Sequence, residues 1–289
     1  MNAFLNRIGI SWQKPLNEKK NSCRYRFKIL WNRLFPFTPL LTRVSYGAWW
    51  LAVNDVNNDG YFSGNYEPKE LRFVKRFLKP GMVVVDIGAH HGFYTLYASK
   101  LVGDQGLVIA FEPSVRELQK LRFHINLNRC KNVKVAPFAL SNSEETTDFY
   151  VVMGRDTGCN SLRTPVVTEP IERVQVQTST LDSYLNRTGV QKVDFIKLDA
   201  EGAELKILNG ASHLLNRFPR PIILCELSEG RCLPWGHTCK DIIDLLEKEY
   251  NYRWCSLGAE GSLGRFLLAE GIENYVAVPV EYEIDTIQN

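Results

Sequence analysis

Residues 82–87 read Met-Val-Val-Val-Asp-Ile, introduced by Pro80-Gly81 and ended by Gly88. A short run without polar alternation has no solvent face, so it is expected as a central strand of a parallel sheet covered by helices on both sides. A helical pattern follows at about 92–102, with Phe93, Leu96, Tyr97 and Leu101 along one side and Gly103 as its stop. The alternation repeats. A second strand is read at 107–111, a helix carrying Val115, Leu118, Leu121 and Ile125 sits behind a Ser114/Glu117 capping box, and a third strand lies near 133–138. Fourth and fifth strands are read at 193–198 and 221–227, separated by a helix from about 203 to Gly210. Thr238 with Asp241 opens a further helix whose Ile242, Ile243, Leu245 and Leu246 face inward, and strands near 252–257 and 275–280 close the chain, expected to be antiparallel. Residues 148–153 and 174–177 read as strands around a polar insertion at 154–169. The pattern is that of a doubly wound, mostly parallel, seven-stranded Rossmann-like α/β sheet.

Charge divides the chain where hydropathy does not. Residues 1–45 carry nine Lys/Arg against one acid, Glu18, although the net charge of all 289 residues is only +3. The expected organisation is therefore a basic, partly helical extension at 1–60 and a catalytic domain at 61–289. Residues 24–37 (RYRFKILWNRLFPF) interleave bases with aromatics and aliphatics, a pattern suited to an anionic membrane surface, to a phosphate-bearing substrate, or to a helix packed with its basic face in water. No run approaches the roughly 20 apolar residues of a spanning helix, and no signal-peptide pattern is read at the N-terminus, so a cytoplasmic location is expected. The seven cysteines are odd in number and mostly lie in or beside predicted elements, which fits reduced thiols. Cys232 and Cys239 flank His237 without a fourth ligand, and Asp55–Gly60 starts like a calcium loop but has Tyr66 where the closing acid belongs, so no metal site is expected.

In an open α/β sheet, ligands bind beyond the carboxyl ends of the strands. After the first strand comes Asp86-Ile87-Gly88-Ala89-His90-His91-Gly92, which lacks the glycines at 90 and 93 that a dinucleotide fingerprint needs. After the second comes Phe111-Glu112-Pro113, with a carboxylate placed to accept both hydroxyls of a ribose. Together the two acids suggest an adenosine-type ligand with a cationic tail; the structural alternatives are a loop cap for Asp86 and a surface acid for Glu112. After the fourth strand come Asp199, Glu201 and Glu204. Acids at a helix N-terminus are stabilising in their own right, which accounts for the two glutamates. Asp199, as the strand-end residue, is expected to face the cleft, where a carboxylate steadies a sulfonium or takes a proton from a hydroxyl.

These residues sit in blocks that resemble the FkbM family of methyltransferases: FLKPGMVVVDIGAHHGFYTLYASKLVG from 77, IAFEPS from 109, FALSN from 138, TLDSYL from 180, DFIKLDAEGAELKILNGA from 194 and ILCELS from 223. The resemblance runs from about residue 60 to the C-terminus, and the DAEGAE block is its most specific part. It implies a class I methyltransferase fold and S-adenosylmethionine as cofactor. The cofactor would be bound by Asp86, Gly88, Ala89, His90 and Gly92 with Thr95 behind them, the ribose held by Glu112 beside Pro113, and adenine packed near Ala139, Leu140 and Ser141. Asp199 would stand by the transferable methyl, with Glu226 at the end of the fifth strand as a second candidate for the proton. Glu67, in a segment resembling the one that precedes the family's first strand, would approach the methionine end. Gly158–Leu162 resembles a block expected to border the cleft. The reading that follows is methyl transfer to a hydroxyl oxygen of a small molecule or glycan. The alternatives are an RNA methyltransferase using the basic arm and a cofactor-binding protein without chemistry.

Overall fold

The computed structural model describes residues 38–284 except 54, together with Phe27, Leu30, Trp31, Leu34 and Phe35. The basic arm before Phe27, and most of the expected helix at 24–37, fall outside the described residues. The chain divides into two compact units, Met1–Glu67 and Pro68–Asn289.

In the first unit, β1 (Leu40–Arg43) and β2 (Trp49–Ala52) pair antiparallel, with Arg43 opposite Trp49 and its guanidinium 4.6 Å from the ring centroid. The calcium-like stretch is a turn: the Asp55 Oδ1 accepts from the Asn57 N–H at 2.8 Å. It runs into a short helix, α1 (Asn58–Ser63), that the sequence reading did not anticipate. Gly64 closes that helix in the left-handed region (φ 75°).

The second unit opens with α2 (Pro68–Phe77) and then alternates as expected: β3 (Val83–Ile87), α3 (Phe93–Val102), β4 (Leu107–Phe111), α4 (Val115–Asn128) and β5 (Val133–Ala136). After a second small sheet, described below, come β9 (Phe195–Leu198), α6 (Glu204–Asn209), α7 (Ser212–Asn216), β10 (Ile222–Leu227), α8 (Glu229–Cys232) and α9 (Cys239–Asp244). The chain closes with β11 (Tyr252–Leu257), β12 (Leu263–Arg265) and β13 (Glu273–Pro279). The main sheet has the order β12-β11-β13-β10-β9-β3-β4-β5. One row of it, Ile109–Val85–Ile196–Ile223, crosses four neighbouring strands with no member more than 1% exposed. Each such side chain contributes about 1.5–3 kcal/mol through burial. Val84, which points to the opposite face of β3, is 1% exposed, so both faces of the central strand are covered, as its unbroken apolar character demanded.

Four details differ from the sequence reading. The sheet has eight strands rather than seven, because β12 adds a short edge strand that pairs with β11. Of the last two expected strands, only β13 runs against the parallel set; it pairs antiparallel with both β10 and β11. The third strand stops at Ala136. Residues Ala139–Leu140 form β6 of a separate three-stranded sheet, in which β7 (Thr146–Val152) and β8 (Ile171–Ser179) pair antiparallel around the insertion. After β8 comes α5 (Leu181–Thr188). The Ser114/Glu117 capping box does not form: Ser114 Oγ donates to the Glu117 carboxylate at 2.5 Å instead of accepting from a helix amide, and Glu117 also pairs with Arg116 at 2.7 Å. The Thr238/Asp241 box is complete. Among the described residues no helix is long and apolar enough to cross a membrane.

Candidate active site

Strand register brings the expected acids to one edge. Ile87 lies beside Phe111 of β4 on one flank and Leu198 of β9 on the other, so the next residues of all three strands emerge level. The Asp199 N–H donates to the Ile87 carbonyl at 3.3 Å, and the N–H groups of Gly88 and Ala89 donate to the Phe111 carbonyl at 3.2 and 3.0 Å. Gly88 (φ 79°) has no room for a side chain, since a Cβ there would lie 1.9 Å from the Asp199 carbonyl oxygen. Gly92 (φ 94°) is similarly confined, by the Leu121 side chain 2.6 Å from where its Cβ would be.

Asp86 is buried and accepts from the Thr95 hydroxyl at 2.5 Å. Burial raises its carboxyl to about 6, against the stabilising pull of Thr95 and Lys197. Thr95 is fully buried, so it orients Asp86. Glu112 is buried too; one oxygen accepts from the His90 N–H at 2.8 Å and the other from the Ser114 N–H at 2.9 Å. Burial pushes it up to about 8, the backbone N–H groups only partly opposing. A carboxylate has about four acceptor positions, and two of these are engaged by the backbone. Pro113, half-buried, separates Glu112 from Ser114.

His90 (φ 50°) reaches the insertion, its Nε2 lying 2.8 Å from the Thr157 hydroxyl. His91 stacks on it at 3.7 Å between ring centroids. His91 is tied into α4: its carbonyl accepts from His124 Nδ1 at 2.8 Å, and its ring lies 3.0 Å from Lys120 Nζ. Burial pushes the His91 imidazole well below its usual range, so it is neutral and accepts from Lys120. The N–H groups of Gly88, Ala89, His90 and Gly92 all donate within the protein. That leaves the loop poorly equipped to grip a pyrophosphate, while the buried acids suit hydroxyl donors and a positive charge.

Asp199 has partners that the sequence reading did not supply. Lys197, buried in the middle of β9, donates to Asp199 Oδ2 at 3.2 Å and to Asn274 Oδ1 at 3.1 Å, and its ammonium sits 5.3 Å from the Tyr94 ring centroid. Burial alone would raise the Asp199 carboxyl, but Lys197 and Arg231 outweigh it and hold the group below its usual value. Glu226 of β10 pairs with the Arg231 guanidinium at 3.1 Å, and Glu201 pairs with the same guanidinium. Oxygens of Asp199, Glu201 and Glu226 lie within 4.8 Å of one another. Arg231 supplies positive charge among them. Glu201 is held at φ 56°, with its carbonyl accepting from the Ser161 hydroxyl at 3.1 Å and the Trp235 indole N–H at 3.2 Å. The insertion thus borders the cleft through Thr157 and Ser161. Glu204 caps the turn at Ala200 and Gly202 through their backbone N–H groups, at 2.8 and 3.3 Å.

The remaining expected residues lie differently. Leu140 packs in the main core and Ala139 in the core of the second sheet, which leaves Ser141 as the polar group of that trio, its hydroxyl donating to Asn142 Oδ1 at 3.3 Å. Glu67 is the last residue of the first unit, with a backbone φ of 42°. Lys197 left one sequence signal, an ionisable residue inside an apolar strand. Arg231 and Asn274 left none, because they join the site only through the packing of α8 and β13.

The sequence profile described as the Methyltransferase FkbM domain matches residues 86–254, more than half of the chain. Over 232 residues the chain is 25% identical to the AMB antimetabolite synthetase AmbE of Pseudomonas aeruginosa, covering 68% of this chain and 10% of that one. Over 59 residues it is 44% identical to the ribosomal RNA large subunit methyltransferase E of Acinetobacter baylyi, covering 20% of this chain and 27% of that one. The chain therefore spans only a minor part of these curated relatives. A crystal structure of Methyltransferase FkbM from Methylobacillus flagellatus is similar with a TM-score of 0.43 and 15% identity, over 76% of this chain and 52% of that one.

Proposed function

The chain belongs to the FkbM family of S-adenosylmethionine-dependent methyltransferases, and from that premise we propose that it methylates a hydroxyl oxygen of a small molecule or glycan. When bound, the cofactor supplies a methyl group on a sulfonium. The residues present fit that group: buried carboxylates at level strand tips, a loop where Gly88 has no space for a Cβ, and loop amides already engaged. Glu112 would hold the ribose hydroxyls, and Asp86 would turn the loop toward the cationic end.

The observation that carries the proposal is the placement of Asp199 at the tip of β9, level with Gly88 and with Lys197 donating to its Oδ2 at 3.2 Å. A carboxylate held anionic by Lys197 and Arg231 at the tip of β9 steadies positive charge in a cleft and accepts a proton from a nearby hydroxyl. Arg231 pairs with Glu226, the second candidate for the proton, and keeps it in the same cluster. Acceptor choice would rest on the insertion, which meets the cleft at Thr157 and Ser161. The Asp199→Asn variant is expected to lose about 10²-fold or more in turnover while binding the cofactor within a few-fold of the wild type. Turnover would be followed by mass spectrometry of extracts given labelled cofactor, and binding by calorimetry. Wild-type turnover in the variant would end the assignment.

A second reading, methylation of RNA, is favoured by the nine bases of residues 1–45 and by the similarity to a protein named as a ribosomal RNA methyltransferase. It predicts salt-sensitive RNA retention that is lost when residues 1–45 are removed.

A further inference from the structure

Phe27, Leu30, Trp31 and Leu34 are helical and fall at i, i+3, i+4 and i+7, the spacing of a single helix face. Three of them are more exposed than covered: Phe27 and Leu30 at 54% and Leu34 at 62%, with Phe35 beyond them at 50%. The aromatic rings run along the helix, 5.7 Å between the centroids of Phe27 and Trp31 and 4.9 Å between those of Trp31 and Phe35. A contiguous apolar stripe left open to water marks a surface that something else covers.

The sequence around the stripe indicates what covers it. Residues 24–37 contain Arg24, Arg26, Lys28 and Arg33 and no acid. Arg26 and Lys28 are the chain neighbours of Phe27, and Arg33 is the neighbour of Leu34. An RNA would engage the bases and leave the leucines in water. A second copy of the stripe would bring like charges together. A bilayer rich in anionic lipid satisfies both features at once, because apolar and aromatic side chains enter the boundary between headgroups and acyl chains while bases meet the phosphates.

We propose that this stripe docks the chain on the surface of a bilayer containing anionic phospholipid. The docking lies in the plane of the membrane, because bases interleave with the apolar residues along 24–37 and would meet the headgroups rather than the hydrocarbon. It does not depend on which molecule is methylated.

The test is cosedimentation of the full chain with phosphatidylcholine vesicles, with and without phosphatidylglycerol at about a third of the lipid. Binding is expected only with phosphatidylglycerol and is expected to weaken as salt rises. Phe27→Glu combined with Leu34→Glu should lower binding by about tenfold or more. Arg26→Ala and Lys28→Ala should each lower it about fivefold. Melting temperatures close to wild type show that the variants are folded, and the alanine variants leave the apolar stripe intact as an independent check. Any of four results overturns the proposal: no binding to anionic vesicles, equal binding to neutral ones, undiminished binding by the double glutamate variant, or a dimer in solution that this variant dissociates. Capture of an RNA oligomer by the full chain, with vesicles left unbound, would assign the segment to nucleic acid instead.

Discussion

Glu112 shows how one residue couples ligand, proton and stability. Its carboxyl is raised to about 8 by burial, from an ordinary value of 4.5. Between those two values the folded chain keeps a proton that the unfolded chain gives up. The contribution of Glu112 is therefore most favourable below pH 4.5 and is lost progressively as pH rises to about 8. Glu112→Gln cannot ionise, yet it forfeits one of the two acceptors used by His90 and Ser114. Urea unfolding should find this variant slightly less stable than wild type at pH 5 and more stable above pH 8, a reversal on the order of a few kcal/mol. Curves that stay parallel across that range would show that Glu112 is ionised in the free protein. At this scale the sequence was informative about residues at strand ends and poor about their partners. Glu112 and Asp199 were legible as acids directly after apolar strands, and Asp86 as the acid one residue before the end of β3. Arg231 and Asn274 were not, since nothing in a local window links them to Asp199.

At the scale of elements, the β3–α3 turn decides whether the site exists. Gly88 combines a left-handed backbone with a Cβ position 1.9 Å from the Asp199 carbonyl oxygen, so Gly88→Ala must push β3 and β9 apart at their tips. The expected cost is about 1–3 kcal/mol for the backbone strain, plus the displacement of Asp199. Thermal melts should record the loss of stability, and cofactor titration should show binding weakened beyond what the loss of fold explains. A variant that melts and binds like wild type would mean the turn is not confined. The strand pattern itself was readable because fully buried strands leave apolar runs and parallel strands need intervening helices. The second sheet was not anticipated at Ala139–Leu140, which the sequence reading treated only as a segment near adenine. Two small apolar residues between turns carry no periodicity, and only the pairing with β8 reveals the strand. The capping box at Ser114 failed for a related reason: Glu117 is drawn to Arg116 and Lys120, partners that the capping motif does not see.

At the scale of the whole molecule, the two units separate two tasks. The strand-tip acids all belong to Pro68–Asn289, which is net acidic, whereas the exposed apolar stripe and all the basic excess belong to Met1–Glu67. A fragment starting at residue 68 should bind the cofactor within a few-fold of the full chain while losing vesicle binding. Cofactor affinity that collapses in a well-folded fragment would assign Glu67, or another residue of the first unit, to the site. The change in charge near residue 45 set a basic segment apart from the rest of the chain, whereas the compact units divide between Glu67 and Pro68. The function of the first unit was not, because an amphipathic pattern alone does not distinguish a packed face from an exposed one.

The central claim is that carboxylates on neighbouring strand tips form one site for a positively charged adenosyl donor. Calorimetric titration of the full chain with S-adenosylmethionine, beside the Glu112→Ala variant, tests it most directly. The account predicts saturable one-site binding, a proton released below pH 8 as Glu112 ionises, and affinity lowered at least about tenfold in the variant. A folded chain that gives no binding, or a variant that titrates like wild type, would contradict it.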